Sequence, residues 1–73
     1  MRAQIRLDTV TDIAHFVLLT SSVKEPVYVK NETGTLSVSG KSFLGLAHAK
    51  EFNELWCECE KDIYSLIKDF III

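Results

Sequence analysis

The apolar residues of this chain change period several times, and each change narrows the folds open to it. In Arg2 to Leu7, Val27 to Lys30, Leu36 to Ser39 and Glu54 to Glu60 they alternate with polar residues, the period of a strand with one buried face. In Ile13 to Thr20, in the short run after Ser42, and in Ile63 to Ile71 they recur every three or four residues, the stripe of a helix buried along one side. The order read from these switches is β-α-β-β-α-β-α. Strands with one apolar face and helices with one apolar stripe bury both together in two layers. The expected fold is therefore α+β: a two-layer, open-faced sandwich with a four-stranded antiparallel sheet and every helix on one side. The other side stays wet, carrying Arg2, Gln4, Arg6, Tyr28, Lys30, Ser37, Ser39, Glu54, Trp56 and Glu58.

Local signals place the joints. Thr9-Val10-Thr11-Asp12 reads as a capping box, the threonine oxygen serving the amide of Asp12 and the carboxylate reaching back to the amide of Thr9. It opens a helix whose stripe is Ile13, Ala14, Phe16, Val17 and Thr20; His15 falls beside that stripe, on the surface. Ser21, Ser22 and Lys24-Glu25-Pro26 end the helix, the residue before proline being pushed out of the helical region. Asn31-Glu32-Thr33-Gly34 supplies turn chemistry between two strands and predicts a hairpin, with Leu36 and Val38 facing inward. The polar stretch His48 to Asn53 turns the chain before the fourth strand, in which Leu55, Cys57 and Cys59 face the core. Ile63, Leu66, Ile67, Phe70 and Ile71 then mark a last buried helix face.

Residues 1–73 make one domain, small enough that its core must be filled efficiently; a 48% apolar composition allows that. The net charge is −2 and the charges are scattered singly or in pairs, so no basic stripe recommends nucleic acid or an anionic membrane. The same order of elements occurs in RNA-recognition domains, but their signature aromatics are missing from the third strand, and the glutamates of the open face would repel phosphate. Met1 to Leu7 lacks the apolar region of a signal peptide and no apolar run is long enough to span a bilayer, so the expectation is a cytoplasmic protein. Cys57 and Cys59, two apart on a strand, are too local to staple a fold and have no second pair that would suggest zinc; they read as buried thiols. No cofactor or metal is expected.

The chemistry-bearing stretch is Ser39-Gly40-Lys41-Ser42-Phe43-Leu44-Gly45-Leu46, which joins a strand to a helix and leaves one hydroxyl at the junction. A serine before an apolar run is a preferred N-cap, its oxygen accepting from a free amide of the first turn. The same amides favour a phosphate placed there. Ser42 can therefore be a structural cap or a switch. Gly-Lys-Ser is not the tail of a nucleotide-binding loop: that motif needs four residues between its glycines, whereas Gly34 and Gly40 are separated by five.

The order of elements, the run Ile13-Ala14-His15-Phe16-Val17 and the run Lys41-Ser42-Phe43-Leu44-Gly45-Leu46 together resemble the HPr phosphocarrier family of the bacterial sugar phosphotransferase system. The resemblance covers nearly the whole chain. It is closer in the second run than in the first, where only the apolar tail of the family's Gly-Leu/Ile-His-x-Arg-Pro-Ala segment is matched. The last strand and helix are also joined more tightly than in typical members, by Glu60-Lys61-Asp62.

The resemblance implies that Thr9 stands where the family's phosphorylated histidine would be, Thr11 where its arginine would be and Asp12 where its proline would be. A threonine phosphate ester lacks the transfer potential of a phosphohistidine, no arginine is left to clamp the phosphate, and Asp12 would repel it. The expectation is no enzymatic or phosphotransfer activity and no catalytic residue. Ser42 matches the serine that a dedicated kinase phosphorylates in one branch of the family, converting the protein into a corepressor for catabolite control. The resemblance thus implies a regulatory module that docks proteins of carbon regulation or the phosphotransferase system through Lys41, Ser42, Phe43 and Leu46. The alternative is a structural module, a homodimer for example, that reuses the fold for self-association. Its motive is Ile72 and Ile73, which run past the apolar stripe of a helix whose final turn offers no lysine or arginine.

Overall fold

The structure, a computed structural model, describes residues 1–72. Strands β1 (Arg2–Ile5), β2 (Val27–Lys30), β3 (Ser37–Ser39) and β4 (Leu55–Cys59) alternate with helices α1 (Val10–Thr20), α2 (Phe43–Ala49) and α3 (Tyr64–Ile67), the last running into a 3-10 turn at Lys68–Phe70. The sheet is antiparallel throughout, in the order β1-β4-β2-β3. β1 and β2 are thus parallel to each other with β4 between them, and β3 and β4 are parallel with β2 between them. The connection through α1 and the connection through α2 each cross one intervening strand.

Both crossovers lie over the same face, as burial shows. Ile5, Val27, Val29, Leu55, Cys57 and Cys59 on that face are buried together with Ile13 and Phe16 of α1, Leu46 and Ala49 of α2, and Ile67 of α3. Along β4 the alternation is strict: Leu55, Cys57 and Cys59 are buried, while Trp56 and Glu58 are only partly covered. The fold is the expected small α+β arrangement, an open face on one side of the sheet and helices on the other.

The capping box is formed as the sequence predicts. Thr9 Oγ1 accepts from the Asp12 amide at 3.0 Å, and Asp12 Oδ2 accepts from the Thr9 amide at 3.2 Å. The hairpin forms too. Asn31 and Leu36 close it through backbone and side chain, and Gly34 turns the chain at a φ of 78°, a left-handed conformation that glycine adopts without a Cβ clash.

The structure corrects several expectations. Ala14 is exposed, because α1 is covered only from below and turns that residue to solvent. Leu36 is 53% exposed: β3 begins at Ser37, and Leu36 belongs to the hairpin loop at an uncovered edge. β1 stops at Ile5, although Leu7 is buried beyond it. α2 runs on through His48 and Ala49 before the chain turns. The last helix is shorter than its stripe suggests. Ile63 precedes it, Leu66 is about one-third exposed, and beyond Phe70 the backbone is extended, so that Ile71 pairs with Ile5. The amide of Arg6 donates to Phe70 O at 2.8 Å and that of Ile72 to Gln4 O at 2.9 Å, so residues 70–72 cover the outer edge of β1. Ile73 lies outside the described residues.

Candidate functional site

Two regions hold the residues singled out by the sequence: the N-terminus of α1, and the turn from β3 into α2. At the first, the helix is closed by its own carboxylate. Asp12 Oδ2 accepts from the amides of both Asp8, at 3.0 Å, and Thr9, at 3.2 Å. A fixed negative charge thus already sits on the two amides that lead into the helix. Arg6, Asp8, Asp12, His15 and Asp69 line an adjoining cleft of about 380 Å³. Its one arginine lies 3.7 Å from Asp8, leaving a surplus of carboxylate beside Thr9. Thr11 is exposed on the first turn of the helix. His15 is also on the surface, its ring set edge-on against Phe70 with centroids 5.5 Å apart.

At the second region a set of backbone contacts fixes the turn. The Gly40 amide donates to Val27 O at 2.7 Å, and the Gly40 carbonyl accepts from Thr20 Oγ1 at 2.8 Å. Thr20 is fully buried at the end of α1, so this hydroxyl ties the helix to the turn inside the core. A Cβ at Gly40 would stand 2.6 Å from Val27 Cγ1, which is why only glycine fits there. The Lys41 ammonium donates to the carbonyl of Val23, just past the end of α1. α1 has no basic residue in its last turn, and Lys41 supplies positive charge near its negative end from across the fold.

Ser42 then caps α2. Its backbone is extended and its Oγ accepts from the Gly45 amide at 3.0 Å, while its carbonyl accepts from Leu46 N–H at 3.0 Å. Gly45 lets the helix lie close on β3, where an added Cβ would meet Val38 Cβ at 3.2 Å. The serine is half-buried, and Phe43 and Leu44 beside it are exposed, Leu44 to 73%.

Of the four residues expected to meet a partner, Ser42 and Phe43 are therefore reachable, and Lys41 is committed to Val23. Leu46 is corrected: at 1% exposure it is a core residue, since it falls one turn beyond Ser42 on the side of α2 that faces the sheet. Leu44, not singled out from the sequence, takes its place on the outside. The signal was present, because once Leu46 and Ala49 are assigned inward, helical spacing turns Leu44 outward. The Thr20 to Gly40 and Lys41 to Val23 contacts had no sequence signal, since they join residues about twenty positions apart.

The open face is organised by Glu58, which receives Arg2 Nε at 3.2 Å and Lys30 Nζ at 3.0 Å, linking β1, β4 and β2. The hydrogen bond from Lys30, with Arg2 as the second cation, holds the Glu58 carboxyl below the usual carboxylate range. The Arg2 guanidinium lies 4.0 Å above the Trp56 ring. Arg6 does not join this set, although its alternation places it on the same face as Glu58. β1 has already ended, and Arg6 turns to Asp8. Cys57 and Cys59 are free and buried, and burial pushes the Cys57 thiol up to about 12, with Cys59 adding to the effect. Among the described residues no helix is long and apolar enough to cross a membrane. No protein-family model, curated protein or solved structure matches the chain.

Proposed function

We propose that this chain is an HPr-like regulatory module that has lost histidine phosphotransfer and docks proteins of bacterial carbon regulation through the Ser42 end of α2. The observation that carries this reading is the closed N-terminus of α1. Where a phosphocarrier needs an imidazole, Thr9 is locked in a reciprocal cap and its amide, like that of Asp8, is held by the Asp12 carboxylate. A phosphate there would meet an occupied, anionic helix end. Support for the family reading comes from the order of elements, on which the resemblance rests, and from Ser42 at the cap of an α2 lying over the sheet. The protein carries out no reaction of its own. Phosphate on the Ser42 hydroxyl would set a dianion beside the exposed Phe43 and Leu44, a surface of charge next to apolar side chains suited to an arginine-bearing partner.

Two measurements test the reading. Incubation with phosphoenolpyruvate and the first enzyme of the phosphotransferase system leaves the protein unlabelled; an acid-labile phosphohistidine at His15 would refute the loss of phosphotransfer. Treatment with the serine kinase adds one phosphate at Ser42 and raises affinity for the catabolite-control repressor. Absence of that phosphate, or an unchanged affinity, would reduce Ser42 to a cap.

A further inference from the structure

The two edges of the sheet are treated differently. The edge of β1 is covered by residues 70–72, through Arg6 N–H to Phe70 O and Ile72 N–H to Gln4 O. β3 forms the opposite edge and pairs only with β2. Its backbone groups can be sorted. Antiparallel residue pairs alternate between hydrogen-bonded and non-bonded, and the bonds Asn31 N–H to Leu36 O and Gly40 N–H to Val27 O put Leu36, Val38 and Gly40 in the bonded set facing β2. Ser37 and Ser39 therefore turn their backbone groups outward. The Ser39 carbonyl is taken by the Ser42 amide at 3.2 Å. The Ser37 N–H, the Ser37 carbonyl and the Ser39 N–H have no partner among the described residues.

We infer that this edge pairs with the same edge of a second copy, antiparallel about a two-fold axis at Ser37, joining two sheets into one. Self-complementarity selects the occupant. With Ser37 opposite Ser37 of the other copy, each Ser37 N–H meets the other Ser37 carbonyl, and each Ser39 N–H meets the carbonyl of Thr35 of the other copy. All three unpartnered groups are used, and the occupied Ser39 carbonyl is not required. In the same register Leu36 stands opposite Val38 of the second copy. The apolar side chain left half-exposed in one chain is thus covered by the strand of the other. The stretch Thr35 to Gly40 carries no charge, so the two copies meet without like-charge repulsion, and it lacks the lysine, proline or bulge with which edge strands ordinarily resist pairing. β3 has only three residues, so the contact falls in the small, transient class of interfaces and the dimer forms at high concentration. The edge runs up to the Ser42 turn, whose amide holds the Ser39 carbonyl, but the pairing does not depend on phosphate at Ser42.

Sedimentation equilibrium from about 10 μM to about 2 mM, the range in which weak association is read, tests the inference alongside amide NMR over the same series. The mass rises from 8.3 kDa toward twice that value, and the Ser37 and Ser39 amides move with concentration while the Val38 amide stays largely still. Ser37→Pro removes an outward N–H without breaking a β2–β3 bond, and Leu36→Lys sets a charge opposite Val38; each retains the native circular dichroism and weakens the dimer at least about tenfold, or 1.4 kcal/mol. A mass of 8.3 kDa across the whole range, or a dimer of undiminished affinity in both variants, overturns it.

Discussion

Gly40→Ala probes how tightly the Ser42 turn is built. The backbone φ at Gly40 is not positive, so alanine meets no dihedral penalty and would, by restricting the unfolded chain, add about 0.4 to 1 kcal/mol of stability. The surroundings reverse that sign. The new methyl would sit 2.6 Å from Val27 Cγ1, 3.2 Å from Val27 Cβ and 3.3 Å from Val27 O. Rotating Val27 could move Cγ1 but not the other two atoms, and Val27 is 1% exposed on a strand paired on both sides. Parting the turn from β2 would stretch the 2.7 Å bond from Gly40 N–H to Val27 O. Overpacking of this kind costs about 1 to 3 kcal/mol; two contacts that cannot rotate away place this site at about 2 to 3 kcal/mol, leaving a net loss of about 1 to 2.6 kcal/mol. In a domain of this size that lowers Tm by about 4 to 20 °C, read by circular dichroism. The companion measurement is Val27→Ala, alone and combined with Gly40→Ala. Removing Cγ1 makes room for the methyl, so the double variant is more stable than the sum of the single losses by at least about 1 kcal/mol. Strict additivity, or a Gly40→Ala protein as stable as the parent, would refute the steric reasoning and the rigidity of the turn that presents Ser42.

Other perturbations separate the remaining interactions. Ser42→Ala costs about 1 kcal/mol in urea unfolding, because the Gly45 amide loses its acceptor, whereas Ser42→Asp keeps most of the stability as an equally good cap at the positive end of α2. A double-mutant cycle on Arg2 and Glu58 gives a coupling of about 0.2 to 1 kcal/mol, while a cycle on Arg6 and Glu58 gives none, since Arg6 faces Asp8. The Glu58 carboxyl is held low by Lys30 and Arg2, so its stabilisation is complete above the ordinary carboxylate value of about 4.3 and is lost as pH falls through the folded value. Glu58→Gln flattens that acid limb of the stability curve. For Cys57 the sign is opposite: a thiol raised to about 12 stays neutral in the folded state, so stability declines as pH rises above the ordinary thiol value of about 8.5. Alkylation of Cys57 at neutral pH therefore requires unfolding and is absent in native buffer.

The features legible in the chain's order were carried by residues near one another. The Thr9 and Asp12 cap, the Asn31 to Gly34 turn, the Ser42 cap and the strict alternation of β4 are local, and the physics that selects them acts over two to four residues. The layer arrangement followed because one-faced elements have few ways to bury those faces. Tertiary structure decided which apolar residues on the margin of a stripe were covered. Ala14 and Leu36 fit their periods, yet they are exposed, because coverage depends on where neighbouring elements end. Leu46 was legible as apolar but not as inward until α2 was set on the sheet. Arg6 could not be assigned a partner from its alternation, because β1 ends before it and residues 70–72 take the edge. The clasp of Thr20 and Lys41 on either side of the Ser42 turn depends on bringing together residues about twenty positions apart. Periodicity says which face of an element is apolar; only the packed fold says what that face meets.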